Sequence, residues 1–315
     1  MIMATYKEVM DYAVKHELWT PEHIEKYTTR VNEATKKNLN IVYGTEANYI
    51  MGNVGNLCDR ITRNLTSIYF DYCHKEKESN NDFLCAIVSL FEITLACDYF
   101  DIRDDRDAYS EVLSRLSERW LMLFACNRFD LAQYCYPTLI NGLQNGMLCR
   151  SLPRSRKPQR LGVLAMEMMA REHKQTISWD EADIPVDPFY QRFCDDALLS
   201  ADNDLVRDWL VGLCDKHLEW ADLNDEKHDR SYITGYEIQR GVLLLWPFEY
   251  QAVKNYRARH GLTTPEIDHP LLTGPMAMEH IPDFASWQRW DWFDPLLDFV
   301  AEKKPELAFL KTLFN

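Results

Sequence analysis

Apolar residues along this chain recur three and four apart, the spacing of amphipathic helices. From Ala4 to Glu17, Tyr6, Val9, Met10 and Ala13 fall on one face. Thr20-Pro21-Glu22 places an N-cap, a proline at the first helical position and an acid in the first turn, so a second helix starts there and runs to Tyr43. Thr45–His74 reads as a long helix in which Gly52 and Gly55 allow a break. Lys75–Asn81 is a polar loop, and Asp82–Tyr99 is apolar enough for a central core helix. Ala108–Cys126 and Phe129–Leu148 read as an antiparallel pair, and Pro158–Lys174 as a methionine-rich helix. Ile177–Pro188 reads as extended, and Phe189–Ala201 and Asn203–Leu223 as acidic amphipathic helices. No strand-like alternation lasts more than a few residues. The expected class is all-α, a multi-helix bundle.

The densest apolar run lies in Ser231–Met276, at Gly241-Val242-Leu243-Leu244-Leu245-Trp246. A helix apolar on nearly all sides is a buried one. Pro247 disfavours helical backbone at Trp246 and suits the first turn of a new helix. Two helices are therefore expected to meet at Trp246-Pro247, the second ending near Gly261. Thr264-Pro265-Glu266 predicts a short further turn of helix that Pro270 interrupts. The tail carries Phe284, Trp287, Trp290, Trp292 and Phe293, expected to dock on the core, and two short helices split by Pro305.

The 315 residues are enough for one large or two ordinary domains. Arg150–Arg160, with five basic residues and two prolines, breaks the composition abruptly. It predicts a helical domain over 1–150 and another over 158–315. No apolar run reaches about 18 residues, so no membrane span is expected. The first residues read as a helix and not as a signal peptide. Nine cysteines, none at a Cys-x-x-Cys spacing, read as reduced core residues of a cytoplasmic protein that binds no metal.

Charge changes the picture most. The net charge is −14, and Ser178–Arg230 alone carries fifteen acids against five bases. Such a field repels nucleic acid and anionic membrane and attracts basic partners. On a helical wheel from Asp204, Asp208, Asp215, Glu219 and Asp222 stay within roughly 60° of it. Leu205, Trp209, Leu213 and Trp220 fall at roughly 100–180°, the expected inward face. Like charges at i and i+4 oppose helix formation, so a one-sided stripe suggests a basic partner. Asp195, Asp196, Asp204, Asp208, Asp215, Glu219 and Asp222 are the candidate binding residues.

Catalytic signals are sparse. There is no nucleophile elbow, phosphate-cradling glycine loop or His-Glu-x-x-His helix. Asp101-Ile102-Arg103-Asp104-Asp105-Arg106-Asp107 resembles the magnesium-binding motif of class I terpene synthases, an alternative enzyme reading. It departs from that motif: the third acid falls one place early, and Asn203-Asp204 is followed by Arg207 and Val211 where the second motif needs a hydroxyl and an acid.

The stretch Gly235-Tyr236, Trp246-Pro247-Phe248-Glu249-Tyr250-Gln251-Ala252 and Asp268-His269-Pro270-Leu271-Leu272 resembles the two-part, all-helical immunity proteins of bacterial polymorphic and contact-delivered toxins, including the type VI secretion type. The Gly-Tyr pair lies ten residues earlier than in that family, and Pro247 is a departure. The resemblance covers about forty residues. It implies a non-enzymatic, cofactor-free protein that neutralises a cognate toxin, often a nuclease, by binding it in the cytoplasm.

Overall fold

The computed structural model describes residues 5–17, 29, 33, 35–40, 43–44, 50–103, 113–149, 158–223, 237–238 and 241–314. The fold is all-α. Its helices are α1 Tyr6–Glu17, α2 Ile50–Glu76, α3 Asn81–Arg103, α4 Leu113–Ala125, α5 Asp130–Gln144, α6 Leu161–Glu172, α7 Pro188–Arg192, α8 Asn203–Glu219, α9 Phe248–Arg259, α10 Phe293–Lys303 and α11 Leu310–Leu313. Residues 35–40 are also helical, while most of the helix expected from Thr20 to Tyr43 lies outside the described residues. Among the described residues extended pairing is limited to two isolated parallel bridges, Gln159 with Val186 and Ala221 with Ile238.

The chain forms two compact units, each from two segments: Met1–His16 with Asp105–Glu279, and Glu17–Asp104 with His280–Asn315. The expected break at Arg150–Arg160 lies inside the first unit, and its residues 150–157 are outside the described ones. The sequence signal there was a change of composition, whereas the units are set by which helices pack together.

In the second unit α2 and α3 form the most extensive helix pair. Gly55 does not break α2. A Cβ there would sit 3.2 Å from Cys97 Cβ of α3, so the glycine lets the two helices approach closely. Asn81–Phe100 is long and apolar enough to cross a membrane, with mean hydropathy 1.8, yet 89% of it is buried inside the protein. That marks a core helix. The tail aromatics pack in this unit, Trp287 against Phe293 at 4.8 Å and Phe293 against Phe314 at 5.6 Å between ring centroids.

In the first unit α4 packs chiefly against α9 and α6. The expected antiparallel pairing of α4 with α5 gives way to α5 against α6. Every residue of α6 from Leu161 to Ala170 is buried. The apolar run before Trp246 is a 3-10 turn over Gly241–Leu244 in its described part, and α9 follows Pro247 and ends before Gly261 at φ +72°. Trp246 is buried, with 1% of its surface exposed. No helix forms at Thr264-Pro265-Glu266. Pro270 instead opens a 3-10 turn, Pro270–Thr273, capped by His269 Nδ1 accepting the Leu271 N–H at 3.1 Å. Eight cysteines are buried thiols, and the side chain of Cys149 is outside the described set.

Candidate functional site: an acidic surface on a buried polar frame

The acidic segments of the first unit are mounted on α9, a helix unusually polar for its depth. Glu249, Gln251 and Arg257 are all buried. Such groups cost several kcal/mol each when unpaired, roughly 1–3 for a neutral group and more for a charge. Each therefore has to find a partner, and each partner fixes a different element.

Arg257 is fully buried. Its Nη1 donates to the carbonyls of Ala197 and Leu198, both at 3.0 Å, and its Nη2 to Thr263 at 2.7 Å. A guanidinium at carbonyls left free by a helix end is favourable in charge and geometry. It clamps the end of a π turn, Phe193–Ala197, that continues from α7 and carries Asp195 and Asp196. Asn255 does the same for α4, its amide donating to Phe124 and Ala125 carbonyls at 2.9 and 2.8 Å. Gln251 accepts from Trp246 Nε1 at 2.6 Å and donates to the Met278 carbonyl at 2.8 Å.

Glu249 binds α8. Its Oε2 lies 2.7 Å from His217 Nδ1, and His217 Nε2 lies 3.1 Å from the Leu244 carbonyl. A carbonyl only accepts, so Nε2 carries a proton.

A second network ties α6 to α7. Glu237 accepts the backbone N–H groups of Arg160 at 3.1 Å and Leu161 at 2.9 Å, capping the α6 N-terminus. Arg160 also donates from Nη1 to Glu237 Oε1 and from Nε to Asp187 Oδ2, both at 3.3 Å, while its guanidinium carbon sits 3.2 Å from the Trp220 ring centroid. Asp187 caps α7 through the Phe189 N–H at 2.9 Å. Burial pushes the Glu237 carboxyl up to about 7, against the opposing pull of Arg160 and the two backbone N–H groups. The phenol of Tyr190 is raised well above its ordinary value by burial, then by the charges of Glu249 and Glu237.

The outward side of this frame is acidic. Asp195, Asp196, Asp204, Asp208 and Asp215 are exposed, and Glu219 and Asp222 are half-buried. Several acids have local partners: Asp204 with Arg207 at 2.5 Å, Glu219 with Lys216 at 2.6 Å, Asp195 with Arg171 at 2.9 Å and Asp215 with His269 Nε2 at 3.2 Å. The stripe is thus less uniformly negative than the wheel implied, because Arg207 and Lys216 reach it from three residues away. α8 ends at Glu219, so Asp222 lies beyond the helix, where its N–H donates to the Ile238 carbonyl at 2.8 Å.

The inward face of α8 differs in part from expectation, although Leu213 and Trp220 are buried as expected. The buried residues are Val206, Leu210, Leu213, Cys214, His217 and Leu218. They centre at roughly 240° on the wheel, not at 100–180°. Leu205 is 38% exposed and Trp209 half-buried. The inward face includes a cysteine, and a histidine whose burial depends on partners distant in sequence. Arg160, Glu237, His217 and Arg257 went unrecognised for that reason, since none carries a local motif.

Among the described residues no cluster of three or more histidine, cysteine, aspartate or glutamate side chains could hold a metal. The expected aspartate-rich motif Asp101–Asp107 and the pair Gly235-Tyr236 lie mostly or wholly outside the described side chains. Phe124, Phe129, Met168, Met169, His173 and Tyr256 line a cavity of about 10 Å³, room for about one water and far below the roughly 300–1,000 Å³ of small-molecule sites. Comparison with protein-family models, curated proteins and solved structures finds no match.

Proposed function

We propose that this chain is an immunity protein that neutralises a bacterial toxin by stoichiometric binding, and that the toxin presents a basic surface such as a nuclease's substrate groove. The observation that carries this reading is the exposed acids of the π turn and α8, held on side chains of the motif helix α9. The resemblance around Trp246–Ala252 supports the same reading. In this account Trp246, Phe248 and Glu249 build the frame, and the acids beside them meet the toxin.

An acidic surface that mimics nucleic acid in charge occupies a basic groove and excludes its substrate, with no chemistry required. The test is titration of the purified chain against the toxin encoded beside it, with the toxin's own activity as readout. Complete inhibition at one equivalent is expected. Full toxin activity in the presence of excess folded chain would refute the reading.

A further inference from the structure

The dipeptide Asn-Gly occurs twice in the chain, at Asn141-Gly142 and Asn145-Gly146, one helical turn apart at the end of α5. The same two residues meet opposite surroundings. Asn141-Gly142 lies inside α5, where Gly142 is buried and its N–H belongs to the helix ladder. Asn145 is exposed and caps the helix end, and Gly146 follows in the left-handed region at φ +76°. A Cβ built on Gly146 would meet nothing within 4 Å, so no other group crowds the glycine.

Two hydrogen bonds hold the turn. The Gly146 N–H donates to the Leu143 carbonyl at 3.2 Å, and the Met147 N–H donates to Asn145 Oδ1 at 3.0 Å. The first belongs to a helix end, where bonds open with little free energy. The second folds the Asn145 amide over the backbone that follows it and draws electron density towards Oδ1, which makes Cγ more electrophilic. With no side chain on Gly146 to obstruct it, the Gly146 nitrogen can reach that carbon when the turn opens. At Asn141 the same approach requires the helix itself to open.

We infer that Asn145-Gly146 is a site of spontaneous deamidation, with water as the co-reactant, and that Asn141-Gly142 is protected by its helix. Hydroxide takes the Gly146 amide proton, and the nitrogen attacks Asn145 Cγ to form a C–N bond. The Cγ–Nδ2 bond breaks, and Nδ2 leaves as ammonia with a proton from water. Water then opens the cyclic imide at either carbonyl, giving aspartate or isoaspartate. The product carries a new negative charge at the C-terminal end of α5, where the helix macrodipole disfavours one. Isoaspartate also lengthens the backbone by a methylene just before Met147 and Leu148, which are buried. A close-packed interior feels a change of one methylene, so the modification weakens the first unit as the chain ages.

The test incubates the full folded chain at mildly alkaline pH and follows both asparagines by peptide mass spectrometry, with fragmentation that separates isoaspartate from aspartate. Asn145 should deamidate at least about tenfold faster than Asn141, the ratio that follows from about 1.4 kcal/mol less opening free energy at the turn. A parallel incubation in urea removes the structure, and the two sites should then react at comparable rates. Asn145→Gln should remove the acidic variant that ion exchange resolves from the ageing chain. Equal rates at the two sites in the folded chain overturn the inference, as does an Asn145 that reacts only in urea. A ratio that persists unchanged in urea belongs to the flanking sequence and overturns it as well. No partner enters this assay, so its outcome is independent of the proposed function.

Discussion

At the scale of single residues, the buried polar groups set the behaviour most open to measurement. Glu237 titrates near 7 when folded, against an ordinary value of 4.5. A group with a raised folded pKa favours the native state below its unfolded pKa, and that contribution is lost as pH rises through the folded value. Between pH 4.5 and 7 the unaltered chain should lose on the order of 3 kcal/mol through this group. Glu237→Gln removes the titration, so the variant should gain in melting temperature relative to the unaltered chain between pH 5 and pH 8. A difference that stays flat across that range would show that Glu237 is not so placed. Trp246 is apolar bulk with one satisfied polar atom, its N–H donating to Gln251. Trp246→Ala should cost ~3–5 kcal/mol, as other large-to-small core changes do. That corresponds to a fall in Tm on the order of 10 °C, read by thermal melting. Its burial was legible from the sequence because a dense apolar run announces itself. Glu237 was not legible, because a single acid among the chain's 49 carries no mark of the helix N-terminus it will cap.

At the scale of elements, helix existence was easy to read and helix facing was not. α8 was expected with Leu205, Trp209, Leu213 and Trp220 inward; Leu213 and Trp220 are buried, and Leu205 and Trp209 are not. The structure turns His217 and Cys214 inward instead, because Glu249 and the Leu244 carbonyl await the imidazole there. A periodicity argument weighs side chains by hydropathy alone, and a buried hydrogen-bond partner from 32 residues away overrides it. The same applies to α9, whose polar residues look like a solvated face and are ties to four other segments. Arg257 is the sharpest case. Arg257→Met keeps the aliphatic stem but strips three carbonyls of their donor. It should destabilise the first unit by ~3 kcal/mol. Amide exchange at Leu198, whose N–H bonds Phe193 across the π turn, should accelerate before global unfolding. Unchanged exchange at that amide would mean the clamp is not what holds the turn.

At the scale of the whole molecule, the all-α class followed directly from the absence of strand alternation. The division into units did not follow, because each unit joins segments far apart in the chain and only packing shows which belong together. Charge asymmetry was visible from composition, but its partial neutralisation by Arg207 and Lys216 is a property of geometry. What survives is an exposed surface that is still net acidic, to which we propose that a basic toxin is steered. Electrostatic steering acts on the association rate and weakens with salt, while the short-range fit governs dissociation. The direct measurement is the association rate constant with the cognate toxin, as a function of ionic strength, for the unaltered chain and for Asp208, Asp215 and Glu219 together changed to lysine. The account predicts a fall of at least about tenfold at low salt and a flattened salt dependence in the variant. An unchanged rate and an unchanged salt slope, in a variant whose circular dichroism shows the fold intact, would contradict it.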